Sequence, residues 1–594
     1  MLKKNMRNLV PGEKMQERSL HVLCIMCILI ITFINLTNKN LIYVVPDEYG
    51  YWATAAHFAG FDWSDLLKHA SYYSYGYSFL IAPLFWIFNN SEYMYKGAIV
   101  LNGVLLCGSY LLTYFSAKKI AAKMDKRLLV VFSLAVTLYS NNILQLQLGW
   151  GECLLYFLFW CTVYLTIQII EKPLISKVVV FGIILVYMFM VHQRTLGILM
   201  SGAILMTILK LLKLINWKQY LAFLATIIIA YVIHLLIKEN LQNTLWSKSL
   251  YLDGNDFGGQ GTRLISIITD FSQFKLFVKG LLGKIHYLVV SSFFLLVWGG
   301  YYCLVNISKA IITKVKLQEK NAQDTMKTLL SVFLLLSLVS TVLIASISLV
   351  DGSRVDHLFY GRYNEMLIGP FILLGFIALN QLKHLVKIQL LFTALSILLG
   401  VYLAYVVKDP RYYSFNEICA TGIYWAFEKF GKSKEFIYAT TALAITIAST
   451  YIFWIKRKKN KIVLQVIVLI VVIGVWYSTS VSASKVFLNS YGNWQRIVGA
   501  TKALNLEEES DIYFVSLTGD RNNLAEWIDF RIQFVFPKES IIHLNYDRLG
   551  DIKLEKTTYF IVATTLEALV ETELYQNFEL IGEQNGIFCL KYQK

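Results

Sequence analysis

The chain has 594 residues, of which 56% are hydrophobic and only 16% are charged, and its mean hydropathy is +0.54. These values exclude a soluble enzyme with one large core, because the charged residues that would keep such a chain in water are missing. Seven prolines and 34 glycines exclude collagen-like and proline-rich disordered proteins. The composition therefore indicates a protein embedded in a membrane.

Apolar runs recur along the chain and predict about thirteen transmembrane helices. The predicted spans are 19–37, 97–117, 128–146, 153–170, 178–191, 196–209, 220–237, 285–305, 329–350, 366–382, 388–407, 436–455 and 462–480. The spans 178–191 and 196–209 are short enough to form a re-entrant pair instead. The first span follows Lys3, Lys4 and Arg7, but it is too long for a signal-peptide core and no small-residue cleavage site follows it.

The net charge of +16 is distributed according to the predicted topology. With residues 1–18 in the cytoplasm, the segments predicted to lie inside contain 27 Lys and Arg and 6 Asp and Glu. The rest of the chain contains 28 basic and 33 acidic residues. An excess of basic residues on the inner side is the usual pattern for membrane proteins. It removes the main support for nucleic-acid binding, and we expect no nucleic-acid partner.

The last part of the chain, residues 481–594, has a different composition. Short β-like runs at 511–516, 558–563 and 586–592 are separated by helical patterns near 521–536 and 565–577. An odd number of spans places this part outside. We therefore predict a polytopic α-helical membrane protein with a transmembrane domain at 19–480, followed by a small extracytoplasmic α/β domain.

Candidate polar residues gather in the predicted outer loops, and the first of these loops, at 38–96, is the most informative. It contains the acid pair Asp47 and Glu48 just past the first span, followed by an aromatic-rich stretch. Charged groups beside a membrane are costly, so the pair marks a candidate site, with solvated residues at the end of a span as the structural alternative. A glycine-rich outer loop predicted at 238–284 would either close over a bound substrate or simply connect two spans.

Four stretches resemble motifs of one family: Asp47-Glu48, Tyr75-Gly76-Tyr77-Ser78-Phe79-Leu80-Ile81-Ala82-Pro83-Leu84-Phe85, Gly149-Trp150-Gly151-Glu152-Cys153-Leu154-Leu155-Tyr156 and Tyr360-Gly361-Arg362-Tyr363-Asn364-Glu365. In their order along the chain they resemble the GT-C class of integral-membrane glycosyltransferases, which includes the protein O-mannosyltransferases and the lipid A aminoarabinose transferases. The chain differs in having Glu152 where the class often has Asp, and it has no WWD-type signature of oligosaccharyltransferases. The resemblance covers most of residues 19–480 and implies a hexosyl- or pentosyltransferase that uses polyprenyl-phosphate sugars.

The resemblance implies roles for three acidic residues. Asp47 would be the base that takes the proton of the acceptor hydroxyl, and Glu48 would orient Asp47 or the acceptor. Glu152 would either bind sugar hydroxyls or hold a metal together with Asp47. Carboxylate oxygens suit Mg²⁺ or Mn²⁺. The sequence requires no metal, however, and leaves the cofactor unknown. Direct attack by the acceptor would invert the configuration of the sugar.

Basic residues of the outer loops are candidates for binding the donor phosphate. His192 and Arg194 lie in the turn between the two short spans, and Arg362 precedes the tenth span. A guanidinium group binds phosphate through two parallel hydrogen bonds. The structural alternatives are a snorkelling Arg194 and a helix pair between Arg362 and Glu365. Weaker phosphate candidates are Arg354 and Arg263. Candidate contacts to the sugar or acceptor are Tyr49, Tyr75, Tyr360 and Glu365.

Two other functions compete with that of a transferase. A transporter or flippase of lipid-linked sugars would need many spans, and a polysaccharide polymerase or ligase would need a large outer loop. Transporters typically have inverted repeats and polar groups near the bilayer midplane, whereas the polar residues here gather at the outer surface. We expect a bacterial plasma membrane location with membrane lipids as neighbours. The expected substrates are a lipid-linked sugar donor and an envelope glycan, lipid or protein acceptor. The C-terminal domain would cap the site or recognise that acceptor.

Overall fold

The structure is a computed structural model. The residues that it describes are 11–36, 42–250, 252, 259–312, 322–350, 352–382, 385–456, 461–502, 504, 510–517 and 528–592. The basic residues Lys3, Lys4 and Arg7, and most of the glycine-rich stretch at 253–261, lie outside these ranges.

Helices form the larger part of the molecule. The first are α1 (Pro11–Leu36), α2 (Asp47–Ala59), α3 (Ser78–Ile81), α4 (Pro83–Ile87), α5 (Ser91–Ile120), α6 (Lys126–Thr137), α7 (Ser140–Gln145), α8 (Glu152–Glu171), α9 (Ile175–Val191), α10 (Leu196–Leu211) and α11 (Trp217–Asn243). The next are α12 (Gln260–Thr269), α13 (Phe271–Ser291), α14 (Leu295–Ile312), α15 (Ala322–Ser348), α16 (Val355–Phe359), α17 (Ile368–Gln381), α18 (Leu385–Val406), α19 (Thr421–Phe430), α20 (Lys434–Lys456) and α21 (Lys461–Thr501).

Within the described ranges, ten helices are long and apolar enough to cross a bilayer: α1, α5, α8, α10, α11, α14, α15, α18, α20 and α21. Three of the predicted spans correspond to shorter helices. The span 178–191 is α9, 366–382 is α17, and 128–146 is divided between α6 and α7. The polytopic helical architecture is therefore confirmed, whereas thirteen spans and a cytoplasmic N-terminus remain predictions.

Local chemistry sets several helix boundaries. At the start of α11, Asn216 Oδ1 accepts a hydrogen bond from the backbone N–H of Gln219 (2.9 Å), and Gln219 Oε1 accepts one from that of Asn216 (2.8 Å). This reciprocal capping satisfies two donors that the first turn of a helix leaves unpaired. Between α13 and α14, Phe293 and Phe294 have φ values of 50° and 66°, which interrupt the α-helix. The predicted span 285–305 is divided at this point.

Most of the predicted outer loop at 238–284 is helical, contrary to expectation. Helix α11 continues to Asn243, and α12 and α13 occupy 260–269 and 271–291. Helix α12 is amphipathic and exposes Ile265 and Ile268, which is typical of a helix that lies in the membrane interface. The glycines that precede this short helix and stand at its start, from Gly254 to Gly261, concealed its pattern in the sequence.

Small residues let two of the central helices approach closely. A Cβ atom on Gly299 of α14 would lie 2.1 Å from the carbonyl oxygen of Phe371 in α17. A Cβ atom on Gly375 of α17 would likewise lie 2.3 Å from the carbonyl oxygen of Leu295 in α14. Such contacts let the two backbones touch, which is how helices commonly associate in membranes.

The C-terminal part is a small α/β domain, as predicted. Its elements are β1 (Asp511–Ser516), α22 (Ile528–Val535), β2 (Ile541–Asn545), β3 (Thr558–Ala563), α23 (Leu566–Val570), α24 (Glu573–Asn577), β4 (Glu579–Gln584) and β5 (Ile587–Tyr592). The sheet has the order β2-β1-β3-β5-β4, in which β1 is parallel to β2 and β3, whereas β5 is antiparallel to β3 and β4.

The two faces of this sheet have different partners. Val515, Phe560 and Phe588 form a separate apolar cluster with residues of α23 and α24. Ile512 and Phe514, which alternate with the first set along β1, belong instead to the large core that continues into the membrane-embedded helices. One face of the sheet, together with α22, is therefore continuous with the membrane part of the protein.

Candidate active site

Asp47 is the first residue of α2 and lies at the edge of a cavity. Its Oδ1 accepts a hydrogen bond from the Tyr73 hydroxyl (2.8 Å), and its Oδ2 accepts one from Arg362 Nη1 (2.6 Å). The side chain is 28% exposed. Asp47 is thus accessible from the cavity, and its orientation is fixed on both oxygens.

Arg362 joins Asp47 to a second carboxylate. Its Nε donates to Glu152 Oε1 (2.8 Å), and its guanidinium carbon lies 3.7 Å from the centroid of a Trp150 ring. Burial alone would lower the pKa of Arg362, but the carboxylates of Asp47 and Glu152 outweigh it and hold this pKa well above its usual value. Arg362 therefore remains charged under all ordinary conditions.

A second arginine, Arg194, binds Glu152 from the interior of the protein. Arg194 Nη2 donates to Glu152 Oε2, and its guanidinium carbon lies 5.0 Å from the Tyr363 ring. Arg194 is fully buried, and its Nε and Nη1 atoms have no hydrogen-bond partner within the described part of the chain. Two carboxylates and two guanidiniums therefore alternate in the order Asp47, Arg362, Glu152 and Arg194, which we call the ion array.

The cavity has a volume of about 440 Å³. Part of its lining comes from Asp47, Arg362 and Tyr360, and another part comes from Arg263 and Arg354. Arg263 Nη1 donates to the carbonyl oxygen of Ser348 (2.8 Å), and Arg354 Nη2 donates to Asp356 Oδ2 (2.9 Å). Three arginines thus face one polar cavity beside the accessible carboxylate of Asp47.

His192 and Arg194, which are neighbours in the same turn, lie in different places. His192 lines the cavity, whereas Arg194 lies behind Glu152. Burial and the charges of Arg194 and Arg362 lower the pKa of His192 well below its usual value, so the ring is neutral at neutral pH. Of the predicted phosphate ligands, Arg362 and His192 reach the cavity and Arg194 does not.

Glu48 lies outside the cavity, on the other side of the start of α2. Its Oε2 accepts hydrogen bonds from the backbone N–H groups of Tyr43 (2.6 Å) and Val44 (2.8 Å). Its Oε1 accepts hydrogen bonds from the Tyr95 hydroxyl (2.7 Å) and the Gly149 N–H (2.6 Å). Complete burial raises the pKa of Glu48, an effect that these donors oppose. Glu48 therefore connects three segments behind Asp47 instead of facing a substrate.

Three of the four predicted sugar or acceptor contacts also lie away from the cavity. Tyr49 stacks on Trp63, with ring centroids 5.4 Å apart, and the hydroxyl of Tyr75 lies 2.9 Å from His234 Nδ1. Glu365 is fully buried and accepts a hydrogen bond from Tyr139 (2.9 Å). Tyr360 alone among the four lines the cavity. The predicted helix pair between Arg362 and Glu365 does not form, because the two side chains have different partners.

Several residues of the site have no role predicted from the sequence. Tyr73 donates to Asp47, and Trp150 and Tyr363 each stack against an arginine of the ion array. Trp150 stands two residues before Glu152, and this proximity in the sequence could have identified Trp150 as a residue of the site. Asn416 lines the cavity from a distant segment, and nothing in the sequence marks it.

The donor set at the centre of the site does not fit a divalent cation. Asp47 and Glu152 each give a carboxylate oxygen to Arg362, and the second oxygen of Glu152 binds Arg194. A cation between the two acids would lie beside two guanidinium groups, whose charge opposes it. Within the described ranges, no group of three or more His, Cys, Asp or Glu residues could hold a metal. The arginines already balance the charges of the two carboxylates, and we therefore expect the side chains to act without a cation between them.

Comparison with solved structures finds ArnT from Cupriavidus metallidurans, both bound to undecaprenyl phosphate and in the apo state. The TM-score is 0.51 and the identity 12%, over 96% of this chain and 97% of ArnT. The Archaeoglobus fulgidus oligosaccharyltransferase tethered with an acceptor peptide also matches, with a TM-score of 0.42 and 12% identity over 89% of this chain and 64% of that one. No family model matches the chain, and no curated protein matches its sequence.

The likeness to ArnT extends over nearly the whole of both chains, including the membrane part and the C-terminal domain. At 12% identity it is a likeness of fold. It agrees with the resemblance that the short motifs around Asp47, Glu152 and Arg362 indicated. The chain therefore shares the fold of the GT-C glycosyltransferase ArnT.

Proposed function

We propose that this protein is a glycosyltransferase that moves a sugar from a polyprenyl-phosphate donor to a cell-envelope acceptor, at the outer face of a bacterial plasma membrane. The observation that carries the proposal is the ion array, whose Asp47 end opens into a polar cavity of about 440 Å³. The fold supports it, since ArnT was solved with undecaprenyl phosphate bound.

Asp47 is the general base in this proposal. Its carboxylate takes the proton of the acceptor hydroxyl while the hydroxyl oxygen forms a bond to the anomeric carbon of the sugar. The bond between that carbon and the donor phosphate oxygen breaks, and the polyprenyl phosphate leaves with the electron pair. This single displacement inverts the configuration of the sugar and needs no covalent intermediate on the enzyme.

The arginines of the cavity bind the departing phosphate. Arg362, beside Asp47, stabilises the negative charge that develops on the leaving oxygen, and Arg263 and Arg354 add positive charge that binds the donor phosphate. His192, whose ring is neutral, donates a hydrogen bond to the phosphate without adding positive charge to the cavity. Arg194 acts indirectly, because its contact with Glu152 holds the carboxylate against which Arg362 rests.

The positions of the charged residues favour a transferase over a transporter. Asp47 and Glu152 are the first residues of α2 and α8, Arg194 lies between α9 and α10, and Arg362 lies between α16 and α17. Every member of the ion array thus stands at a helix end or in a connection. A transporter or flippase would place such groups near the bilayer midplane, within interrupted helices.

Mass spectrometry of polyprenyl-phosphate sugars and envelope glycans in the source cell tests the proposal. A null strain is complemented with wild type, with Asp47→Asn or with Asp409→Asn, and equal membrane insertion of the three is verified. Asp409 is a matched control, because it also pairs with an arginine, Arg411, but does not line the cavity.

We expect Asp47→Asn to leave one sugar-loaded carrier accumulating while one envelope glycan loses that sugar, and Asp409→Asn to restore the wild-type pattern. These results would identify the donor and the acceptor together. Restoration of the wild-type glycans by Asp47→Asn would reject Asp47 as the base. A transporter or polymerase would then become the better account.

A further inference from the structure

Helix α22 of the C-terminal domain is buried on all sides. Each residue from Ile528 to Phe534 is buried, including the polar residues Asp529, Arg531 and Gln533. A helix on the surface of a domain normally buries only one stripe. Seven of the eight residues of α22 are therefore enclosed between the sheet and the membrane part of the protein, instead of covering the domain from outside.

One aromatic residue of α22 packs directly against the helix that begins with Asp47. The ring of Phe530 stacks on that of Tyr49, with centroids 4.1 Å apart and planes at 8°. Tyr49 in turn stacks on Trp63 of the first outer loop. Phe530 is thus in parallel contact with a residue two positions from Asp47.

A second aromatic residue, Phe534, reaches the surroundings of Glu48. Its ring meets those of Trp52 and Tyr95 nearly edge-on, at centroid distances of 5.0 Å and 6.1 Å. The Tyr95 hydroxyl donates to Glu48, the carboxylate that also binds the backbone at Tyr43, Val44 and Gly149. Phe534 therefore supports the hydrogen-bonded centre that fixes the start of α2.

Polar contacts fasten the domain beside these two rings. Trp63 Nε1 donates to the carbonyl oxygen of Pro537 (3.0 Å), and the N–H of His543 donates to Asp65 Oδ2 (2.7 Å). Lys538 Nζ also lies 2.5 Å from Asn89 Oδ1. All three contacts join the C-terminal domain to the loop that carries Asp47. The segment 537–543, which follows α22, is thus hydrogen-bonded to this loop at three points.

We propose that the C-terminal domain contributes to catalysis by positioning Asp47. Phe530 and Phe534 position the start of α2 and so hold Asp47 beside Arg362. Neither phenylalanine lines the cavity, so both are positioning residues. Two rival roles for the domain are a cap that only adds stability and a surface that recognises the acceptor. The inference rests on the proposed function only for its kinetic test.

The kinetic test compares Phe530→Leu and Phe534→Leu with Phe578→Leu in the full-length protein. Phe578 is a matched control, because its ring packs against Phe560 within the separate apolar cluster of the domain. We expect the first two variants to lower kcat about 10- to 100-fold with little change in the KM for the acceptor, because misplacing a catalytic group slows the reaction itself. A raised acceptor KM at unchanged kcat, or unchanged kinetics with only a lower melting temperature, would overturn the inference.

Hydrogen exchange gives a second test that requires no activity. The N–H groups of Tyr43, Val44 and Gly149 are bonded to Glu48, so their exchange rates report on this centre directly. We expect Phe534→Leu to speed exchange in the peptides that contain them, and Phe578→Leu to leave it unchanged. Equal rates in both variants would overturn the inference. If the wild type transfers no sugar at all, the proposed function fails, and the exchange result still decides the role of α22.

Discussion

Arg362 Nη1 lies 2.6 Å from Asp47 Oδ2, although 315 positions separate the two residues in the chain. In our account Asp47 is the base and Arg362 binds the donor phosphate. This one contact therefore joins the residue that deprotonates the acceptor to the residue that binds the leaving phosphate. In this account a donor phosphate that binds Arg362 competes with Asp47 for the guanidinium.

Arg362→Lys tests this bridging geometry. A lysine has one charged nitrogen and cannot contact Asp47 and Glu152 through two nitrogens of a planar group while it stacks on Trp150. We expect the transfer rate to fall about 100- to 1,000-fold, as it does when a donor to a developing oxyanion is lost. Turnover of the purified protein in nanodiscs measures this. Arg411→Lys, at an exposed arginine paired with Asp409, is the control, and equal loss in both variants would contradict the account.

Glu152→Gln tests the charge balance of the ion array. The carboxylate of Glu152 lies between two buried guanidiniums, so its removal leaves an uncompensated positive charge. We expect a loss of about 3 to 5 kcal/mol in the free energy of unfolding, measured by thermal or denaturant unfolding in detergent. The double variant Glu152→Gln/Arg194→Met restores neutrality and should recover part of this loss. Additive losses would show that Arg194 and Glu152 are not coupled.

The pKa of His192 predicts a dependence of stability on pH. Burial and the neighbouring guanidiniums lower this pKa, so the folded protein keeps the ring neutral. The unfolded chain takes up a proton as the pH falls below about 6.5, and stability therefore decreases in that direction. We expect the melting temperature to fall between pH 7 and pH 5, and His192→Gln to reduce this fall. The same fall in both proteins would remove His192 as its cause.

Chelation tests the assignment of the chemistry to side chains alone. Asp47 and Glu152 already neutralise Arg362, so we expect no cation to bind between them. Treatment with EDTA followed by dialysis should leave the transfer rate within about twofold, a free-energy difference of less than 1 kcal/mol. A loss of activity that added Mg²⁺ or Mn²⁺ restores would show that the cation displaces Arg362 and that the site rearranges.

Arg263→Gln separates donor binding from catalysis. Arg263 of α12 lines the cavity, and its Nη1 atom donates a hydrogen bond to the carbonyl oxygen of Ser348 (2.8 Å). A charge-assisted hydrogen bond to phosphate is worth about 1.5 to 3 kcal/mol, so we expect the KM for the donor to rise about tenfold or more with a smaller change in kcat. A reduced kcat at unchanged donor KM would place Arg263 elsewhere in the reaction.

Asp47, Glu152 and Arg362 were each proposed from the sequence as candidate site residues in predicted outer segments. The structure places their side chains in contact with one another. Their pairing could not be predicted, because it depends on how distant helices pack. Neighbours such as His192 and Arg194 differ for the same reason, since a sharp turn sends one side chain to the cavity and the other into the interior.

The aromatic-rich stretch of the first outer loop is a second place where the sequence does not predict side-chain contacts. Tyr73 and Tyr75 are two residues apart, yet Tyr73 donates to Asp47 and Tyr75 contacts His234. Irregular backbone has no period from which a side-chain direction can be read. The apolar runs predicted three of the five strands, β1, β3 and β5, but not β2 and β4, and they did not predict the insertion of α22 against Tyr49. The apolar pattern of an eight-residue helix does not predict which other segment the helix packs against.

The most direct test of the central claim is single-turnover transfer by purified wild type and Asp47→Asn, with lipid-linked sugars and acceptor extracted from the null strain. We predict that the variant binds the donor at least as tightly as wild type, because the charge that competes with the phosphate for Arg362 is gone. We also predict that it transfers the sugar at least about 100-fold more slowly, as the loss of a general base requires. Transfer at the wild-type rate by a correctly inserted Asp47→Asn protein would contradict the claim that Asp47 is the catalytic base.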